Sequence, residues 1–368
     1  MTRWPGLPAA LSLLCLTAAP LLAAAEMPPL TVAGRFIVTP DGKPFVIKGV
    51  ALDASLATRG AYGRTPDELA RYYRGLGLNT FRLTFHCTRQ AVGDFATYLE
   101  RNVAPVVEAS KGAGMRVVLD MHEYRWSAPD QATPAFRAQW LAAWRMVARR
   151  YADEPAIAAY ELWNEPDMVF GSKQEPAEHR AWLRECVRAV RDLDERHILI
   201  VNGVQGGFGP QTPITWGANP SYDPSKPAIT FRDVEHWRSP DPARNVVFAF
   251  HCGFFEANRA LGPDILPYHI ANHRAIVDAF ADAHDVPVLM TEWEDEPPDT
   301  ATRDFMLSVA EWLRDDPRRI GWLLWRLHSV DDLTWWQQRF AQERPAECWH
   351  LGELDPPFAD VWLGLARE

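Results

Sequence analysis

Eight short apolar runs, most separated by a stretch with helical character, constrain this chain more than any other feature. They open at Lys48-Gly49-Val50, Asn79, Met115, Ile157, His197, Asn245, Val286 and Gly321. Between them lie segments with helix start and stop signals. One runs from Thr65-Pro66-Asp67-Glu68, a capping box with proline at the first helical position, to the Gly75-Leu76-Gly77 stop. Others are expected over about 95–112, 133–151, 175–195, 266–284 and 302–316. Strands buried on both faces and joined by helices run parallel, and right-handed crossovers wind them one way. Eight such units predict an α/β fold, a (β/α)8 TIM barrel. A doubly wound open sheet usually carries a G-x-G-x-x-G phosphate loop. The glycines at 203, 206, 207 and 209 miss that spacing, because Thr212 occupies the last position. Ahead of the barrel, Arg35–Val38 and Phe45–Val50 flank Asp41-Gly42, which predicts an N-terminal β-hairpin.

A β/α barrel collects its chemistry at the C-terminal ends of its strands. The second strand delivers Arg82 there, the third His122, and the fourth Asn164 and Glu165 just before Pro166 stops the strand. The sixth delivers His251, the seventh Glu292 and the eighth Trp325. Any one of these is commonly a satisfied core group or a solvated strand end; six strands converging on one rim is a site. Two carboxylates on separate strand ends, Glu165 and Glu292, are what glycosidic-bond hydrolysis requires. Glu294 is the rival to Glu292, since alternation along the strand puts both on one face. Other chemistries fail on spacing. His122-Glu123 has Trp126 where a zinc-protease helix needs its second histidine, and no G-x-S-x-G elbow exists. His269 and His273 stand four apart with no third ligand, and read as surface histidines. No metal and no cofactor is expected.

Trp163-Asn164-Glu165-Pro166, supported by Thr291-Glu292-Trp293, resembles glycoside hydrolase family 5, the cellulase family of retaining β/α-barrel glycosidases. The resemblance runs from Gly49-Val50 to the Trp325 strand. It implies that Glu165 is the general acid/base and Glu292 the nucleophile. It implies further that Asn164 holds the sugar 2-hydroxyl, that Arg82 holds and ionises the nucleophile, that His122 and His251 line the cleaved-bond subsite, and that Trp325 floors it. Arg82 beside Glu292 should then lower the pKa of Glu292 and raise that of Glu165. One departure stands out. The family commonly has a tyrosine two residues after the strand-six histidine, where this chain has Gly253 in His251-Cys252-Gly253-Phe254.

The implied substrate is a β-glucan or β-mannan, attacked by double displacement. A glycolipid or small glycoside is the alternative, with Phe254-Phe255 as an apolar neighbour, and a carbohydrate-binding protein that has lost turnover is another. Trp126, Trp216, Trp237, Trp335 and Trp336 fall in segments after strands and are candidate sugar platforms.

Arg3 followed by the Ala/Leu run Ala9–Leu22 and Ala23-Ala24-Ala25 reads as a signal peptide over residues 1–25, with a single catalytic domain over 26–368. A secreted or periplasmic location follows. Loss of Arg3 leaves 37 basic against 48 acidic residues, a net charge of −11, which gives no electrostatic reason to bind nucleic acid or an anionic membrane. No membrane span is expected after signal removal, and the chain reads as a monomer. Cys87, Cys186, Cys252 and Cys348 then remain, with three pairings open besides the reduced state.

Overall fold

The computed structural model describes residues 27–87, 94–122, 133–165, 177–202, 241, 244–254, 265–294, 299–327 and 358–368. Its centre is a closed barrel of eight parallel strands. In chain order these are β3 (Lys48–Asp53), β4 (Thr80–Phe85), β5 (Arg116–Met121), β6 (Ile157–Glu161), β7 (Ile198–Asn202), β8 (Val246–Cys252), β9 (Val288–Glu294) and β10 (Gly321–Trp325), with β10 closing on β3. The expected eight-stranded barrel is the observed one.

The N-terminal hairpin is present, with different arms from those expected. β1 (Thr31–Ala33) pairs antiparallel with β2 (Phe36–Val38) around Gly34, whose φ of +56° only glycine adopts at little cost. The Asp41-Gly42 turn closes on a single bridge between Val38 and Pro44, and the chain then enters the barrel. Leu30 and Ile37 plug the barrel floor, packing with Ile47, Ile198, Val247 and Leu289. The Asn245 side chain fixes the hairpin there by accepting from the Val32 amide at 2.8 Å.

Helices cover the outside. The helix Pro66–Gly75 has the full capping box: Thr65 Oγ1 accepts from the Glu68 amide, and Glu68 accepts from the Thr65 amide at 2.8 Å. The helical stretch 95–112 contains a π-turn over Leu99–Val103. Pro134–Tyr151 brings Trp140 and Trp144 onto the barrel wall, where Trp140, Trp163 and Trp182 pack ring against ring. Much of the tryptophan is therefore outer-layer core.

Two strands break the two-residue alternation. On β9, Met290 pairs Phe250 and Glu292 pairs the next residue, His251, so β9 carries one extra residue at Thr291. Met290 and Trp293, three apart, both face the outer layer, while Leu289 faces the barrel interior. β6 does the same at Ala158: Ile157 and Tyr160 both face outward. These are β-bulges, and a bulge re-aims every side chain that follows it. Glu161 and Glu292 point into the barrel because of them.

Cys186 is a free buried thiol, which removes it from the expected pairings, while Cys348 lies outside the described residues. His269 and His273, expected at the surface, are buried at 0% and 7% exposure. They lie on one face of the helix Ile265–His284, and that face packs on the end of β8, where His269 Nε2 donates to the Gly253 carbonyl at 2.8 Å. Phe254 is likewise buried, against His269 and Phe305, and not placed to meet a lipid. Among the described residues no helix is long and apolar enough to cross a membrane.

Candidate active site

Six of the seven residues picked out by position lie at or near the C-terminal rim of the barrel, Arg82 lies below them as the third residue of β4, and the structure brings the seven together. Arg82 is the hub. Completely buried, it donates from Nε to Glu161 Oε2 at 2.7 Å and from Nη1 to Glu292 Oε1 at 2.7 Å. Its Nη2 faces Asn164 Oδ1 at 2.5 Å, Glu161 Oε1 at 3.0 Å and Asp120 Oδ2 at 3.1 Å. One guanidinium thus serves three buried carboxylates, an arrangement that needs the planar fork of arginine.

His251 sits between the two candidate carboxylates, with Nδ1 3.1 Å from Glu165 Oε1 and 3.3 Å from Glu292 Oε2. Burial pushes its pKa down, with the Glu292 charge pulling it back up, so the ring is neutral and Nδ1 carries the proton it donates. Oxygens of Glu165 and Glu292 and His251 Nδ1 all lie within 4.8 Å of one another. This is the one His/Cys/Asp/Glu group among the described residues with donors close enough to hold a metal ion, and its internal hydrogen bonds already account for its geometry.

The expected fall in the Glu292 pKa does not occur. Burial, joined by the Glu165 charge, raises it to about 7 against the pull of His251 and Arg82. Arg82 cannot reverse this because its charge is divided among Asp120, Glu161 and Glu292. Burial raises Asp120 too, to about 6, and shifts Glu161 in the same direction. Burial and the neighbouring Glu165 charge therefore hold the Glu292 proton more tightly than an exposed carboxylate would.

His122 Nδ1 donates to Asp120 Oδ2 at 2.7 Å, and burial holds the ring well below its ordinary pKa, hence neutral. The His122 ring stacks on Trp325 at 4.9 Å and 13°. A flat shelf of two rings results, beside a pocket of about 110 Å³ lined by Asp53, Tyr62, His86 and Arg326 among others. Such a shelf suits the apolar face of a sugar ring. The peptide bond after Trp325 is cis.

Three buried polar residues of the site were not among those expected: Asp120, Glu161 and Asn202, at 0%, 0% and 1% exposure. Asp120 and Glu161 carried a signal, since a carboxylate within an apolar strand needs a cation, and Arg82, one strand from Asp120 and two from Glu161, is one. Glu294's side chain and the platform candidates Trp126, Trp216, Trp237, Trp335 and Trp336 lie outside the described residues.

Known proteins resemble this chain in sequence and in fold. Endoglucanase C of Acetivibrio thermocellus is 30% identical over 120 residues, which is 30% of this chain and 32% of that protein. Mannan endo-1,4-beta-mannosidase 1 of Solanum lycopersicum is 37% identical over 73 residues, 20% of this chain and 17% of that one. The chain thus aligns with a third or less of the length of these relatives. Over the whole fold, the catalytic domain of the major endoglucanase from Xanthomonas campestris pv. campestris superposes with a TM-score of 0.58 at 21% identity, covering 81% of this chain and 91% of that one. The profile of the cellulase family, glycosyl hydrolase family 5, matches residues 38–331, nearly the whole barrel, and the chain belongs to that family.

Proposed function

We propose that this glycosidase is a retaining, endoglucanase-like enzyme that cleaves β-glucan or β-mannan chains outside the cytoplasm, with Glu292 as nucleophile and Glu165 as general acid/base. The observation that carries the proposal is the separation of the two carboxylates, with oxygens within 4.8 Å. Retaining glycosidases need about 5–5.5 Å between carboxyl groups, whereas inverting ones need room for a water.

In the first step Glu292 attacks the anomeric carbon while Glu165 gives its proton to the departing oxygen, and a glycosyl ester forms on Glu292. In the second, Glu165 takes a proton from water, whose oxygen displaces Glu292. Arg82, 2.7 Å from Glu292 Oε1, leaves the other oxygen for attack and favours the ionised form. His251 holds both carboxylates from one nitrogen, an anchor that bears on the absence of a tyrosine at position 253. Asn164, bound to Arg82 through Oδ1, is left with its amide hydrogens for the 2-hydroxyl. The His122–Trp325 shelf stacks under the ring that is cleaved. The endoglucanase and mannosidase relatives support the substrate class, and the Ala/Leu-rich start of the chain supports export.

The test is release of reducing ends from carboxymethylcellulose, lichenan, glucomannan and mannan, alongside aryl glycosides and a glycosphingolipid. A matching 2-deoxy-2-fluoro glycoside then labels the nucleophile for peptide mass spectrometry. Turnover of a polysaccharide with label on Glu292 is expected. Turnover of only glycolipid or aryl glycoside overturns the substrate class, label on Glu294 overturns the nucleophile, and oligosaccharide binding with no turnover overturns the enzyme reading. Fractionation of the native host, with activity retained in the cytoplasm, would overturn the location.

A further inference from the structure

Two residues that would touch neither substrate nor water at the reacting centre join the two halves of this site. Asn202 ends β7, is 1% exposed, and directs Nδ2 at three oxygens: Glu161 Oε1 at 2.6 Å, the Trp163 carbonyl at 2.8 Å and the Asn164 carbonyl at 2.5 Å. Glu161 in turn grips Arg82 with both oxygens, at 2.7 and 3.0 Å. From the same guanidinium, Nη1 reaches Glu292.

The need for such a tie follows from where β6 ends. Its regular pairing stops at Glu161, yet Asn164 and Glu165 come three and four residues later. That short tail is held by the Leu162 amide on the Ile200 carbonyl of β7, at 3.0 Å, and by the Asn164 amide on the Met121 carbonyl of β5, at 3.2 Å. The carbonyls of 163 and 164 both accept from Asn202 Nδ2, so loss of that side chain takes a donor from each. Glu165 itself is 26% exposed and meets His251 Nδ1 through Oε1.

We infer that Glu161 and Asn202 act as one positioning unit, which holds the backbone carrying Glu165 in register with the guanidinium that holds Glu292. This rests on the roles proposed above for those two carboxylates. The unit is asymmetric. Asn202 serves the proton donor through the backbone of 163–164, and Glu161 serves the nucleophile through Arg82. Displacement of a reacting group by about 1 Å costs on the order of 100-fold in rate.

Asn202→Ala should therefore lose about 100-fold in kcat on glycosides with poor leaving groups, with KM within about threefold, because acid assistance is what is misplaced. On 2,4-dinitrophenyl glycosides, which need little acid assistance, the loss should be no more than about tenfold. Glu161→Gln keeps the shape but places an amide against Arg82 or Asn202, and should slow 2-fluoro glycoside labelling by a similar factor for every leaving group. The double variant should be no worse than the poorer single one by more than about threefold, as expected of groups acting together. Thermal melting and near-ultraviolet circular dichroism establish that each variant is folded. Should Asn202→Ala not fold, Asn202→Ser retains one donor, and its loss should follow the same leaving-group pattern at smaller size.

Equal losses for Asn202→Ala on good and poor leaving groups, or losses that multiply in the double variant, overturn the inference. Label of the wild-type protein on a residue other than Glu292 instead sinks the roles it rests on, so the two failures are distinguishable.

Discussion

Replacing Asp120 by asparagine should make the protein more stable at neutral pH than its effect at acid pH would suggest, although Asp120 touches both Arg82 and His122. The carboxyl is fully buried, and burial lifts its pKa from 3.8 to about 6, more than Arg82 and His86 pull it down. At roughly 1.4 kcal/mol per unit, keeping it ionised costs the folded state ~3 kcal/mol. Because the folded pKa lies above the unfolded one, the folded chain binds the proton more tightly. Its contribution to stability is complete below pH 3.8 and is lost as pH rises to about 6. Asparagine has no such slope. Its carbonyl can still accept from His122 Nδ1 and Arg82 Nη2, now 2.7 and 3.1 Å from Oδ2. Its amide would replace Oδ1, which has no partner among the described residues, and that adds a pH-independent cost of about 1–3 kcal/mol. The diagnostic quantity is therefore the change in ΔΔG between pH 4 and pH 8, expected to be ~3 kcal/mol in favour of the variant at the higher pH. Urea unfolding of both proteins across that range measures it. A flat difference, or one that turns against the variant as pH rises, would refute the reasoning, since it would mean that Arg82 outweighs burial at Asp120.

Glu165→Ala should retain activity on activated aryl glycosides and gain from azide, whereas Glu292→Ala should fall by about 10⁴-fold or more on all substrates without forming a glycosyl-enzyme. Steady-state kinetics on phenyl and 2,4-dinitrophenyl glycosides separates them, and matching behaviour of the two would show the roles to be wrong. With Glu292 in the proposed role of nucleophile, which requires its ionised form, and with burial raising its pKa to about 7, kcat/KM should rise with pH through an acidic limb near neutrality. A pH–rate profile flat from pH 5 to 8 would contradict this. Gly49→Ala would place a Cβ 2.0 Å from the Thr80 carbonyl oxygen and 2.8 Å from Leu323 Cδ2, where β3 closes the barrel. It should cost about 3 kcal/mol or more, read as a lowered Tm or loss of soluble protein.

The barrel was legible because its strands are nearly uniform apolar runs, as burial on both faces demands, and because helix signals such as the Thr65–Glu68 box act locally. The rim was legible for the same reason: a polar residue at the end of an apolar run has little else to do there. The parts that were not legible depend on distance in space. Whether Arg82 serves one carboxylate or three is settled by Asp120 and Glu161 on other strands, and that division decides the proton affinity of Glu292. The burial of His269 and His273 depends on a helix packing over Gly253, which no local pattern announces. The hairpin was assigned to the stronger turn signal, Asp41-Gly42, but the floor of the barrel selected the Gly34 turn by burying Leu30 and Ile37. The bulge at Thr291 is silent in sequence. Strict alternation from the inward Leu289 would have sent Glu292 outward.

That bulge also sets which kind of genetic change the site tolerates best. Removing Thr291 alone would let β9 pair residue for residue with β8, with Met290 still opposite Phe250 and Glu292 still opposite His251, so Glu292 would stay on the inner face and Trp293 in the helix layer. A loss among the regularly paired residues Val288–Met290 would instead either slip the pairs that follow it by one position or close the bulge and turn Met290 inward. For descendants of this chain, a single lost codon on β9 is therefore least costly at 291, and the count of residues along the strand is as much inherited as their identity.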